Sequence, residues 1–184
     1  MEILPFENLA PTLHAEAARI LRDALAHMPS AYGKPGEAEA EVADVLGNPE
    51  RQALAAVEDG RLLGWIGWID EMYSHSWELH PLAVDEPHRR KGVARRLVAA
   101  LEARARDAGI LTLWLGTDDD YGGTNLHGKH LFPNVLDHAA RIEQKDPRHP
   151  IAFYRSAGFE VAGLLPDANG PGKPDILMVK RVGG

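Results

Sequence analysis

The fold is decided by one stretch, WELHPLAVDEPHRRKGVA, which occupies residues 77–94. Its first half alternates apolar and polar side chains and then becomes apolar, which predicts a β-strand over Trp77–Val84. Its second half holds the basic run Arg89–Lys91 and Gly92, directly before apolar residues that recur at helical spacing as far as Ala108. The stretch therefore predicts a strand, a basic turn and a helix in immediate succession.

The segments on either side extend this pattern into a mixed α/β sheet. Asp59-Gly60 between two apolar runs predicts a β-hairpin. The strand after the helix completes a strand–helix–strand crossover, which makes part of the sheet parallel. The predicted helices are Leu13–Leu25, Glu37–Leu46, Gly92–Ala108 and Pro150–Ala157. The predicted strands are Leu54–Glu58, Leu62–Ile69, Trp77–Val84, Ile110–Leu115, Phe159–Leu164 and Ile176–Arg181.

The chain is predicted to form a single domain over residues 1–184, because its length suits one domain and no long Pro/Gly/Ser linker divides it. The irregular part is an insert over about residues 117–148. It begins polar and Gly-rich, and we expect a helix in its second half, because long loops without regular structure are uncommon in compact domains. That helix would present Leu131, Val135, Ala139 and Ile142.

Composition excludes several classes of protein. With 45% hydrophobic and 26% charged residues the chain can build a core and is not disordered. No apolar run approaches the ~20 residues of a membrane helix, and the N-terminus lacks the basic start of a signal peptide. The absence of cysteine fits a reducing compartment, so we expect a cytoplasmic location. The net charge of −7 argues against a general nucleic-acid binder and favours a cationic or small-molecule partner.

The basic turn is the strongest chemical signal. Unpaired backbone N–H groups at a helix start attract anions, and a glycine lets a phosphate approach the backbone. The alternative is a solvated basic helix start. Placement directly after a strand, in an acidic protein, favours an anion site for a pyrophosphate or a 3′-phosphate. Neither the Rossmann nor the Walker glycine pattern is present.

Together with Trp77–Val84, this turn resembles the acetyl-CoA motif of the GCN5-related N-acetyltransferases (GNAT). Three further segments resemble one branch of that superfamily, the aminoglycoside 6′-N-acetyltransferases: LGTDD at 115–119, HPIAFY at 149–154, and PDANG with KPDI between 166 and 176. The resemblance runs from about Tyr32 to Arg181. It implies the GNAT fold, with splayed central strands, and a helical insert.

The resemblance also implies acetyl-CoA as co-substrate and no metal. The residues that it places around the coenzyme are Leu82, Val84, Arg89, Arg90, Lys91, Gly92, Val93, Ala94 and Tyr154. Backbone N–H groups from Arg90 to Ala94 would hold the pyrophosphate, and the Leu82 N–H would bind the acetyl carbonyl. Tyr154 would protonate the leaving thiolate. Packing in the core is the alternative role for Tyr154.

The implied catalytic residues are Glu78, His80, Leu82 and Tyr154. Glu78 and His80 lie two apart on a strand and so share one face. Only a neutral amine attacks a thioester, and a carboxylate both attracts the ammonium and accepts its proton. Because the same carboxylate raises the pKa of the amine, we assign Glu78 binding and proton acceptance jointly. The alternatives are a solvent-facing strand residue for Glu78 and a structural histidine for His80.

The implied substrate-binding residues are Glu78, Asp118, Asp119 and Tyr32. The acidic run Asp118–Asp120 is otherwise typical of a solvated loop. Glu37, Glu39 and Glu41 are predicted to form a solvated helix face. His127, His130 and His138 in the insert lack a carboxylate at matching spacing, so no metal site is expected there.

The expected activity is acetylation of an aminoglycoside 6′-amine by direct attack in a ternary complex, conferring resistance. The alternatives are acetylation of another polyamine or of a protein lysine, and a CoA-binding module without catalysis. The expected partner is a small cationic aminosugar, with no nucleic acid and no membrane. The resemblance also implies a homodimer.

Overall fold

A computed structural model describes residues 1–28 and 30–183 of the chain. The chain divides into two compact units. The first comprises Met1–His27, Ala31–Leu113 and the residues from Val182 onward, and the second comprises Met28–Ser30 and Trp114–Arg181. Among the described residues no helix is both long and apolar enough to span a membrane.

The first unit contains a four-stranded antiparallel arrangement and three helices. Its strands are β1 (Glu2–Pro5), β2 (Arg51–Glu58), β3 (Arg61–Tyr73) and β4 (Ser76–Val84), and its helices are α1 (Pro11–Leu25), α2 (Glu37–Gly47) and α3 (Val93–Asp107). The β2–β3 hairpin is confirmed, since Glu58 pairs with Arg61. Asp59 and Gly60 both have positive φ, 50° and 73°, as the tight turns that suit a twisted hairpin require.

The core of the first unit forms between α1 and the sheet. Ala17, Ile20 and Leu21 on the buried face of α1 belong to the same apolar cluster as Phe6 and Trp65. The indole of Trp65 donates a hydrogen bond of 3.1 Å to the Ala17 carbonyl, so this buried polar group is satisfied. The apolar spacing that predicted α1 is therefore the spacing that builds the core.

The second unit contains the remaining elements. They are β5 (Thr112–Asp118), which begins at the end of the first unit, α4 (Val135–Ala139), α5 (Ile151–Ser156), β6 (Glu160–Leu165) and β7 (Asp175–Arg181). The strands β6 and β7 pair antiparallel. The strand order is β1-β2-β3-β4 in the first unit and β5-β7-β6 in the second, and the predicted mixed α/β fold is confirmed.

The helix expected in the second half of the insert is confirmed, and the other elements differ from expectation at two places. The helix is the short α4, because backbone groups around it are satisfied by turns and side-chain bonds instead of further helical turns. The strand β1 was not predicted; it is four residues long and lies at the end of the strand order, where hydrophobic alternation leaves little signal. In addition, β3 continues to Tyr73, four residues beyond the predicted end at Ile69.

Candidate active site

The strand β4 presents two different faces, as predicted. Burial alternates along it, with Trp77, Leu79 and Ala83 buried and the intervening residues partly exposed. The partly exposed residues are Ser76, Glu78, His80, Leu82 and Val84. Three predicted catalytic residues therefore lie on one face of one strand.

A glycine on β3 makes room for the irregular part of β4. Trp68 pairs with Leu79 and Ile66 pairs with Leu82, so β4 carries an extra residue opposite Gly67. A Cβ at Gly67 would collide with the His80 carbonyl oxygen and lie 3.2 Å from Pro81 Cδ. Only glycine therefore lets β3 pass so close to the backbone of His80.

Glu78 is half-buried on this face. Burial raises the pKa of its carboxyl, and the charges of His80 and Arg51 oppose that shift. A carboxylate with a raised pKa holds a proton more readily than an ordinary glutamate. Glu78 can thus both attract a cationic group and accept a proton from it.

His80 is contacted by two side chains from outside β4. Its Nε2 lies 3.1 Å from the Tyr32 hydroxyl oxygen and 3.7 Å from Glu41 Oε1. The structure thus brings the predicted substrate residue Tyr32 together with the predicted catalytic residue His80. The His80 side chain itself is 41% exposed.

The prediction of a solvated face was wrong for Glu41. The Glu41 side chain is 12% exposed, whereas that of Glu39 is 55% exposed. Glu41 lies on the face of α2 that also buries Ala38, Val42 and Val45, and that i, i+3, i+4, i+7 spacing was the signal in the sequence that could have located it.

Arg51 forms an ion pair with Glu41 in this partly buried region. Its Nη2 pairs closely with Glu41 Oε1, and its Nη1 lies 2.6 Å from Asp44 Oδ2. Burial pushes the pKa of Glu41 upward, but the contacts with His80, Arg51 and Tyr32 outweigh it and the pKa falls below the usual value. Glu41 is therefore an ionised carboxylate in the folded protein.

The start of α3 has the geometry of an anion site. Its N-cap is Gly92 with φ 86°, Arg90 two residues earlier has φ 60°, and no described side chain caps the first turn. A Cβ at Gly92 would meet no described atom within 4 Å, so there is open space beside the N-cap. Arg90 and Lys91 are exposed beside them. These residues fit the pyrophosphate of a coenzyme.

The basic turn is tied to the end of β4. Arg89 Nε donates a 3.0 Å hydrogen bond to the Val84 carbonyl. Val84 pairs with Gly64 of β3, where an added Cβ would lie only 2.6 Å from the Ala83 carbonyl oxygen. Leu82, Val84 and the basic turn therefore lie on one backbone segment, and the Arg89 hydrogen bond joins the turn to the end of β4. The contact of the Leu82 N–H with an acetyl group stays a prediction.

In the second unit, Tyr154 lies buried on α5. Its ring meets those of Phe153 and Phe159 at centroid distances of 5.3 and 5.6 Å, both close to edge-on. Burial raises the pKa of the Tyr154 hydroxyl, so the group is protonated at neutral pH. Tyr154 therefore packs in the core and retains a proton to donate.

The carboxylates of the acidic run Asp118–Asp120 are largely engaged by hydrogen bonds within the second unit. Asp119 is fully buried, and its carboxylate accepts bonds of 2.6 Å from the Gly123 N–H and of 3.0 and 2.6 Å from the Thr124 N–H and hydroxyl. Asp120 accepts the N–H and hydroxyl of Ser30. Asp119 therefore has a structural role in this loop, and its buried, hydrogen-bonded oxygens do not support the predicted contact with a substrate.

Asp118 is less buried than Asp119, and two histidines of the insert lie close to backbone carbonyls. Asp118 is partly exposed and accepts a hydrogen bond from the Asn169 amide. His127 Nδ1 lies 3.0 Å from the Asp119 carbonyl, and His130 Nδ1 lies 3.0 Å from the Phe132 carbonyl. Across residues 1–28 and 30–183, no group of three or more metal-ligating side chains is arranged to hold a metal ion.

Comparison with known proteins identifies the family. The profile of the Acetyltransferase (GNAT) family matches residues 18–131, more than half of the chain. The chain belongs to the GNAT acetyltransferase family. GNAT enzymes use acetyl-CoA, and the helix start at Gly92 fits the pyrophosphate of that coenzyme.

Solved structures similar to this GNAT protein include two aminoglycoside 6′-N-acetyltransferases. One, in complex with coenzyme A, is 39% identical with a TM-score of 0.88, and the match covers 99% of this chain and 97% of that one. The other, from Enterococcus faecium, is 37% identical with a TM-score of 0.86 and the same coverage.

A curated relative is an acetyltransferase named for a different acceptor. The L-2,4-diaminobutyric acid acetyltransferase of Streptomyces avermitilis is 30% identical over 132 residues, which cover 71% of this chain. The match spans 64% of that relative's own length, less than two thirds of it.

Proposed function

We propose that this GNAT protein transfers the acetyl group of acetyl-CoA to the 6′-amine of an aminoglycoside. The observation that carries the proposal is the similarity to aminoglycoside 6′-N-acetyltransferases at 35–39% identity over 99% of the chain. A match of that extent includes the acceptor side of the protein as well as the coenzyme motif. The proposed partner is a small polycationic aminosugar.

The proposed coenzyme site is built on β4 and the start of α3. The backbone N–H groups from Arg90 to Ala94 hold the pyrophosphate, with Arg89 as part of the same basic cluster. Leu82 and Val84 line the path of the pantetheine, and the Leu82 N–H binds the acetyl carbonyl as negative charge develops on its oxygen. Bound acetyl-CoA supplies the activated acetyl group.

The proposed acceptor site uses the exposed face of β4. A primary amine with a pKa near 10.4 is neutral in about one molecule in a few thousand at pH 7. Glu78 first attracts the ammonium and then accepts its proton, which frees the nitrogen to attack. His80 and Tyr32 lie at the same face, and Asp118 is the remaining carboxylate proposed for a further ammonium group of the substrate.

The proposed proton donor is Tyr154. As the new nitrogen–carbon bond forms and the carbon–sulfur bond breaks, the Tyr154 hydroxyl gives its proton to the departing sulfur. The nitrogen loses a second proton as the amide forms, which balances the proton given to the sulfur. The first proton, held by Glu78, passes to solvent, so that an ammonium and a thioester give an amide, a thiol and one released proton. Direct attack in a ternary complex needs no covalent bond to the protein, which agrees with a chain without cysteine.

A thiol-release assay with the purified chain and acetyl-CoA tests this proposal. Neomycin and paromomycin form a matched pair, because they carry an amine and a hydroxyl, respectively, at the 6′ position. We expect release of CoA with neomycin and at least a tenfold lower rate with paromomycin. Equal rates would place the acetylated amine elsewhere, and no turnover with any 6′-amine would refute the proposal.

A second candidate acceptor is a small diamine such as 2,4-diaminobutyrate, because of the 30% identical relative from Streptomyces avermitilis. The same assay with diaminobutyrate, a polyamine and a lysine peptide distinguishes these acceptors by kcat/KM. Binding of acetyl-CoA in calorimetry without turnover of any amine would instead indicate a CoA-binding module. Drug resistance is a further proposal that depends on an aminoglycoside acceptor. Homodimer formation is proposed from the family resemblance, and a cytoplasmic location from the absence of cysteine.

A further inference from the structure

Within the first unit, a line of polar contacts leads from β2 through α2 to His80. Arg51 pairs with Glu41 and Asp44, and Glu41 Oε1 lies 3.7 Å from His80 Nε2. The Tyr32 hydroxyl oxygen lies 3.1 Å from the same nitrogen, and the negative charge of Glu41 acts on the hydroxyl as well. The side chains of Arg51 and Glu41 are each 12% exposed, so these contacts are shielded from water.

The hydrogen-bonding capacity of these groups fixes the direction of each bond. Arg51 only donates, and the ionised carboxylate of Glu41 only accepts. The Tyr32 hydroxyl is neutral, because burial and the charge of Glu41 raise its pKa, and its oxygen can accept a hydrogen. The ionised carboxylate of Glu41 faces the same Nε2, and its negative charge favours a hydrogen on that nitrogen over a lone pair. These two contacts favour Nε2 as the ring nitrogen that carries a hydrogen.

We propose that Glu41 is a positioning residue that holds the neutral ring of His80 in the Nε2–H tautomer and leaves Nδ1 as its proton-accepting nitrogen. Glu41 acts by direct attraction across 3.7 Å, and its ion pair with Arg51 keeps it ionised. The proposal deepens the proposed function, on which it rests for the identity of the acceptor. The tautomer itself is a property of the protein alone.

The consequence for catalysis concerns which nitrogen of His80 is available. A histidine that accepts a proton from a substrate or a water needs an unprotonated nitrogen on its accessible side, and a carboxylate on the other nitrogen supplies that arrangement. Replacing the carboxylate by an amide offers Nε2 a donor as well as an acceptor. The ring can then adopt the other tautomer with little change of shape.

The first test measures the tautomer directly. A long-range ¹H–¹⁵N spectrum of the ¹⁵N-labelled full chain is recorded where the His80 ring is neutral, and a His80→Asn spectrum assigns its signals. We expect Nε2 to show the shift of a protonated nitrogen and Nδ1 that of an unprotonated one. The reverse pattern, or rapid exchange between both tautomers, would overturn the proposal without any Glu41 variant having to fold.

The second test compares two Glu→Gln changes on one helix. Glu41→Gln should lower kcat by about 10- to 100-fold, a range typical of losing a partner that orients a functional histidine. It should also admit the Nδ1–H tautomer. Glu39→Gln is the control, because Glu39 is exposed and pairs with Arg22 at 3.0 Å. Its kcat and its spectrum should match those of the unchanged chain.

The outcomes separate this proposal from the proposed function. If the unchanged chain acetylates no 6′-amine but shows the Nε2–H tautomer, the aminoglycoside proposal fails and the tautomer assignment stands. If Glu41→Gln retains the tautomer and the kcat of Glu39→Gln, the role of Glu41 is refuted while acetylation of the 6′-amine stands. A thermal melt of each variant identifies any general loss of folding.

Discussion

Glu78 and Tyr154 illustrate how one physical effect prepares two residues for opposite tasks. Burial raises the pKa of both groups, because it disfavours the charged form of each. For Tyr154 the neutral form is the proton donor, so burial secures the donor at neutral pH. For Glu78 a higher pKa makes the carboxylate a better proton acceptor. The two residues thus suit the two ends of the proposed proton transfer.

Replacing Tyr154 by phenylalanine tests its proposed role. Tyr154→Phe keeps the ring contacts with Phe153 and Phe159 and removes only the hydroxyl. We expect kcat to fall by about 100-fold, as the loss of a general acid does, with KM for the acceptor nearly unchanged. Steady-state kinetics measure both. The control is Tyr73→Phe, since Tyr73 is 59% exposed; equal kcat values in the two variants would remove the acid role from Tyr154.

Asp119 carries a prediction about stability. Asp119→Ala leaves the Gly123 and Thr124 donors without their acceptor in a buried loop, which should cost about 3 kcal/mol or more in free energy of unfolding. For a chain of this size that corresponds to a melting temperature lower by roughly 6–12 °C. Asp137→Ala, at an exposed position, is the control. An unchanged melting temperature for Asp119→Ala would contradict the structural role of Asp119.

The elements of the proposed site differ in how far the sequence predicts them. The face of β4 follows from simple alternation, so Glu78 and His80 could be assigned to it beforehand. The spacing of Glu41 along α2 indicates the buried face of that helix. Its partner Arg51 lies on β2, however, and no pattern within one segment predicts a pairing between two elements. The role of Asp119 was beyond sequence reasoning for a similar reason: its bonds are made inside an irregular loop that has no period to read.

The contact between β3 and β4 provides a prediction for an element. Gly67→Ala forces a Cβ against the His80 carbonyl, and we expect a destabilisation of about 1–3 kcal/mol, typical of overpacking. Because the clash is with the backbone of His80, kcat should fall as well. Gly163→Ala in β6 is the control, since no described atom lies within 4 Å of its added Cβ. Equal melting temperatures and kcat values for both variants would show that β4 does not depend on Gly67.

At the scale of the whole molecule, the distribution of charge says more than its sum. The chain has a net charge of −7, yet its exposed basic run lies at the start of α3, where an anionic coenzyme would bind. The same unit also carries Glu78 and the ionised Glu41 near the proposed acceptor face. A single average charge conceals this separation, which suits a protein that binds one polyanion and one polycation.

The most direct test of the account identifies the atom that receives the acetyl group. The product of the reaction with acetyl-CoA and neomycin is purified and its acetylation site determined by NMR, with paromomycin run in parallel. The account predicts a single N-acetyl group on the 6′-nitrogen of neomycin and no corresponding product from paromomycin. Acetylation of a different amine, or equal acetylation of both drugs, would contradict it.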